Sequence, residues 1–120
     1  METGDKAVLR YRDGRTERVT LAPIDATREV VSASYDDGRE AEIPYSVLKA
    51  IFFPRVSDDE ADTATGSTIA VEFSDGEVIR GIAHYNPERN GFFLFPSDRS
   101  KNDRVFVVNS AIVSIEVEKL

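Results

Sequence analysis

The feature that most constrains this chain is a repeat. Ala7-Val8-Leu9-Arg10-Tyr11-Arg12 runs into Asp13-Gly14, and Ile69-Ala70-Val71-Glu72-Phe73-Ser74 runs into Asp75-Gly76. Ala7, Leu9 and Tyr11, and again Ile69, Val71 and Phe73, recur at the period of a strand with one buried face. Asp-Gly between two such runs marks a hairpin, because both residues accept positive φ. A second correspondence closes each half. Glu42 to Ile51 aligns with Phe106 to Ile115, each a strand, a short turn bearing a serine (Ser46, Ser110) and a last apolar strand. Two matches at nearly constant offset identify an internal duplication.

Turn residues every eight to twelve positions divide each half into five short strands. They fall at 6–12, 15–22, 28–35, 39–44 and 48–53, and at 68–74, 77–85, 91–96, 103–109 and 111–118. The expected fold is all-β, two tandem small five-stranded barrels packed together. The first module takes residues 1–55 and the second 68–120. Residues 56–67, with Asp58, Asp59, Glu60 and Asp62, form an acidic linker. Each half is near the lower size limit for an independent core, so the halves are expected to share an interface. Gly91-Phe92-Phe93-Leu94-Phe95-Pro96 is apolar on both faces, as is the pair Phe52-Phe53. Phe52, Phe53, Phe93 and Phe95 are therefore assigned to packing between the modules.

Composition removes several functions. Fifteen basic residues against 22 acidic ones leave a net charge of -7, which opposes binding to nucleic acid or an anionic membrane face. With no cysteine there is no disulfide, thiolate metal site or cysteine nucleophile. The one histidine, His84, lies between Ala83 and Tyr85 without the partners a general base or metal site needs. Nucleophile-elbow, Walker and dinucleotide-binding loops are absent from the sequence. No catalytic residue, metal ligand or cofactor is assigned. The N-terminus has no apolar core of a secretory signal, and no run reaches membrane-spanning length, so a cytoplasmic protein is expected.

Two polar groupings remain. Arg10, Arg12, Arg15 and Arg18 gather positive charge around the first hairpin, with Asp13 and Glu17 interspersed. This is a solvated surface or a docking face for an acidic partner. A second grouping, Tyr85, Arg89, Phe92, Arg99, Asn102 and Arg104, is expected to converge if the second barrel closes.

A strand, Asp-Gly, a return strand, a central strand and two strands joined by one tight turn resembles the Sm-like and SH3-like small barrels. The second half also resembles a group of uncharacterised bacterial domains through Asp75-Gly76-Glu77-Val78-Ile79-Arg80-Gly81, Gly91 to Pro96, and Arg104-Val105-Phe106-Val107. The first half resembles the partner module of that group, ending in Leu48-Lys49-Ala50-Ile51-Phe52-Phe53. The resemblance implies a regulatory or adaptor setting near signalling and PilZ-type modules, and no chemistry. The first half departs from it, with Val19 where the second has Gly81. The basic pair with which Sm proteins grip RNA is missing, since Val108-Asn109-Ser110-Ala111 fills its place. Asp98-Arg99-Ser100 begins a PilZ-type nucleotide motif, but Asp103 replaces its glycine. The expected function is a non-catalytic protein-interaction or adaptor module, monomeric or homodimeric, with a protein partner and no nucleic acid or membrane. The alternative is a sensor of a nucleotide or other small anion on the second barrel.

Overall fold

A computed structural model describes residues 5–24, 27–54, 66–85, 88–96 and 102–117. The strands are β1 (Asp5–Tyr11), β2 (Thr16–Leu21), β3 (Val30–Ser34), β4 (Glu40–Pro44), β5 (Leu48–Pro54), β6 (Ser67–Phe73), β7 (Val78–Ala83), β8 (Gly91–Pro96), β9 (Asn102–Val108) and β10 (Ile112–Val117). Single 3₁₀ turns, Tyr45–Val47 and Asn109–Ala111, join β4 to β5 and β9 to β10. Gly14, Gly38 and Gly76 hold φ between +90° and +95° at the hairpin tips, the conformation that only glycine adopts without cost.

The strands form one antiparallel sheet in the order β10-β6-β7-β8-β9-β5-β1-β2-β3-β4. Each half therefore has the same internal order, its fifth strand beside its first. The two separately closed barrels expected from sequence are not formed by this pairing. The sheet is open, because β5 takes β9 of the other half as its second partner instead of closing on β4. The linker, up to residue 65, lies outside the described residues.

Register shows how one sheet serves two cores. Leu9 is opposite Ile51, and Ile51 is opposite Phe106, so Phe106 stands on the face that carries Ala7, Leu9, Val19 and Leu21. On the other face Val8 is opposite Phe52, Phe52 opposite Val105, and Val105 opposite Leu94. That face continues through Ala83 into the core of the second half. Both sides of the β5·β9 pair are thus covered, each by a different half. Leu48 to Phe53 and Val105 to Val108 are buried without alternation, as a strand covered on both faces requires.

The departure at Gly81 has a packing origin. Leu21 is opposite Ala33 in the first half, and Ala83 is opposite Leu94 in the second, so large and small residues have exchanged strands. A Cβ at Gly81 would lie 2.7 Å from Leu94 Cδ2 and 2.2 Å from the Phe95 carbonyl oxygen. Val19 meets the smaller Ala33 side of that exchange and is buried there.

Candidate binding surfaces

Tyr85 packs edge-on against Phe92, ring centroids 5.3 Å apart. Nearby, the Arg89 carbonyl accepts a hydrogen bond of 2.8 Å from Asn109 Nδ2. Arg104 is not with them. It lies at the far end of the β8·β9 pair, its guanidinium 4.3 Å from the Phe53 ring centroid and 5.4 Å from that of Phe93. Arg99 and the side chain of Asn102 lie outside the described residues. The sequence grouping is therefore divided, because β8 and β9 run antiparallel and carry its residues to opposite ends.

Of the residues assigned to module packing, Phe53 and Phe93 meet across β5 and β9 with centroids 6.0 Å apart. Phe52 is buried under Arg10, whose guanidinium lies 4.6 Å from its ring centroid. Phe95 is half-buried on β8. His84 is exposed, and no cluster of metal-ligating side chains occurs among the described residues.

The charged residues at the junction of the halves are structural. Lys49 is buried and reaches the second half's first hairpin, pairing with Asp75 at 2.7 Å and with Glu77. Its ammonium lies 4.9 Å from the Phe73 ring centroid. Arg10 also reaches Glu77, at 3.4 Å. Arg12 donates to the Leu48 carbonyl at 2.9 Å and to Ser110 Oγ. Arg10 and Arg12 are engaged at this junction, which leaves Arg15 and Arg18 on the hairpin surface.

The hydrogen bond from Lys49 holds the Asp75 carboxyl below the usual aspartate range, helped by the Glu77 amide. A folded value below the unfolded one stabilises the fold above the ordinary aspartate pKa, about 3.9, and the benefit is lost as pH falls through the lowered value. Asp13 and Asp37 titrate in the same direction, held down chiefly by the amides of Arg15 and Arg39. Denaturant unfolding is accordingly expected to show stability falling below pH about 4. Asp75→Asn should make that fall shallower. An identical acid profile in the variant would refute the role given to the pair.

At the hairpin end of the first half, sequence reading missed a second repeat. Tyr11-Arg12-Asp13-Gly14-Arg15 and Tyr35-Asp36-Asp37-Gly38-Arg39 are both Tyr-x-Asp-Gly-Arg. In each turn the arginine amide donates to the aspartate at 3.0 Å. The arginine Nε donates to the other carboxylate oxygen at 2.8 Å in the first turn and 2.7 Å in the second. The guanidinium carbons lie 4.5 Å from the Tyr11 centroid and 4.6 Å from that of Tyr35. Both phenols donate to one carboxylate oxygen of Glu17. Burial, then Glu17, raises the titration of both tyrosines, so they remain neutral donors. Two guanidiniums are thus fixed on one rigid aromatic–carboxylate frame, 65% and 70% exposed as side chains. Comparing the two turns with each other, instead of the two halves, would have found the pattern.

These surfaces define an all-β protein whose open sheet carries a preorganised arginine–tyrosine end. The chain belongs to a family of unknown function, DUF6982, whose model matches residues 3–119. No curated protein and no solved structure matches it. No helix among the described residues is long and apolar enough to cross a membrane.

Proposed function

We infer that the protein is a non-catalytic interaction or adaptor module whose first half docks a carboxylate-rich segment of a partner protein through Arg15 and Arg39. The observation that carries this reading is the twin Tyr-x-Asp-Gly-Arg frame. Arginine and tyrosine are the residues most enriched at binding hot spots. Here each guanidinium is oriented before any partner arrives, through a ring face and its Nε, which reduces the ordering cost of binding. The terminal nitrogens offer the planar fork that matches a carboxylate. The sequence resemblance to bacterial adaptor-type small barrels fits the same role and gives the regulatory setting proposed here. The small-anion sensor draws less support, because Arg104 is stacked on Phe53 and Phe93, away from Tyr85 and Phe92.

Fluorescence anisotropy with a labelled oligoglutamate peptide tests the reading. Wild type is expected to bind, with affinity falling as salt rises, and Arg15→Glu with Arg39→Glu should abolish binding. Such exposed substitutions should change stability by only about 0.5 kcal/mol. Equal binding by the variant would overturn the docking face. A saturable thermal shift with a cyclic dinucleotide, removed by Arg104→Ala, would instead establish the sensor.

A further inference from the structure

We propose that the outer edge of β10 is a pairing surface for a second copy of this chain, joined by an antiparallel two-fold. Among the described residues β10 has one partner strand, β6, and β4 has one, β3. An open sheet leaves such edges with unpaired backbone groups, and the two edges here differ. On β4, Glu40 and Glu42 are exposed, Glu42 is held by Arg28 at 2.9 Å, and Pro44 has no amide to donate. Charges and proline are devices that blunt an edge. On β10, Val113 and Val117 are 62% and 55% exposed, and Glu116 is the one charge between Ile112 and Val117.

The fold contains a precedent for what covers a fifth strand. Tyr11 is opposite Leu48 and Arg10 opposite Ala50, which leaves Lys49 as the extra residue of a bulge. Phe73 is opposite Ile112 and Glu72 opposite Ser114, which leaves Val113 in the same position of β10. The two fifth strands share this geometry, and β5 uses its second edge to pair with a strand of the other half.

The strand that pairs with β10 is indicated by side-chain matching. Repetition of the internal junction would set β10 against β4 of a second copy. Glu42 would then face Ile115, where the internal junction has Phe106 facing Ile51. That arrangement strands a carboxylate against an isoleucine and removes it from Arg28. A two-fold about Ile115 has no such conflict. Val113-Ser114-Ile115-Glu116-Val117 has the same polar–apolar pattern read in either direction. Ile115 meets Ile115 of the second copy, Val113 meets Val117, and Ser114 meets Glu116, a hydroxyl donor beside a carboxylate acceptor. The two glutamates are kept apart. An isologous contact of this kind closes at two copies and cannot extend into a fibre.

Sedimentation equilibrium at micromolar concentration should give twice the chain mass. Val113→Lys with Val117→Lys, at two exposed positions, should weaken dimerisation by about 100-fold, roughly 2.7 kcal/mol, and leave the circular dichroism spectrum unchanged. Because the chain has no cysteine, Ile115→Cys provides an independent reading. Directly opposed residues bring their Cβ atoms to within about 5.5 Å, so this variant should form a disulfide-linked dimer on oxidation. A monomeric wild type overturns the proposal. A trimer or larger ring overturns it in favour of β10 against β4. A dimer that the lysines do not weaken, or that Ile115→Cys does not cross-link, places the interface elsewhere.

Discussion

Replacing Phe106 with alanine is expected to lower the unfolding free energy by about 3–5 kcal/mol, the range for removing a fully buried aromatic ring. Total stability for a domain of this kind is about 5–15 kcal/mol, so the variant should be partly unfolded at moderate temperature. The ring is 1% exposed. It packs on Phe93 at 5.2 Å in an edge-to-face arrangement and on Tyr45 at 5.6 Å. Although it belongs to the second half, it stands on the core face of the first, opposite Ile51. Its loss should therefore loosen both halves together, in one transition visible by urea denaturation. Two separated transitions, or a loss under about 1 kcal/mol, would show that the halves do not depend on this junction.

Gly91→Ala is expected to be the next most damaging change, costing about 1–3 kcal/mol by overpacking. A Cβ there would lie 2.2 Å from the Val107 carbonyl oxygen and 2.6 Å from Phe106 Cε2. The oxygen is backbone and cannot turn aside, so β8 must move away from β9. The ring clash vanishes when Phe106 is already alanine. The two substitutions together should therefore cost less than the sum of their separate effects, a coupling a double-mutant cycle measures. Strict additivity would mean that Gly91 is required for a reason other than this approach.

These two positions also show what was legible from sequence. Strand existence and type were readable throughout, because every strand of each half ends at a turn residue or proline and most alternate cleanly. The duplication likewise predicted the matched 3₁₀ turns after Pro44 and Val108. Closure was not readable. Whether β5 pairs with β4 or β9 depends on side-chain fit between residues more than fifty positions apart, for which local periodicity carries no information. Phe52-Phe53 and Phe92-Phe93 did signal strands without a solvent face, but not which core each face would meet. The proposed cluster of Tyr85, Arg89 and Arg104 failed as a group for the related reason that proximity was inferred from closure. The Tyr-x-Asp-Gly-Arg pair was present in plain letters, hidden by a comparison made at the wrong period.

The β5·β9 pairing joins Ala50 to Val107, and that long separation bears on how the molecule assembles. Hairpins such as β1–β2 and β6–β7 close over a few residues and can form early, whereas a pairing across most of the chain must wait until its loop-closure entropy has been met. The seam between the halves is thus expected to be completed late, after the transition state has passed. Interactions made only there retard unfolding without accelerating folding. The large loss foreseen for Phe106→Ala should accordingly appear as a faster unfolding rate, leaving the folding rate nearly intact, so that this seam sets the lifetime of the native molecule.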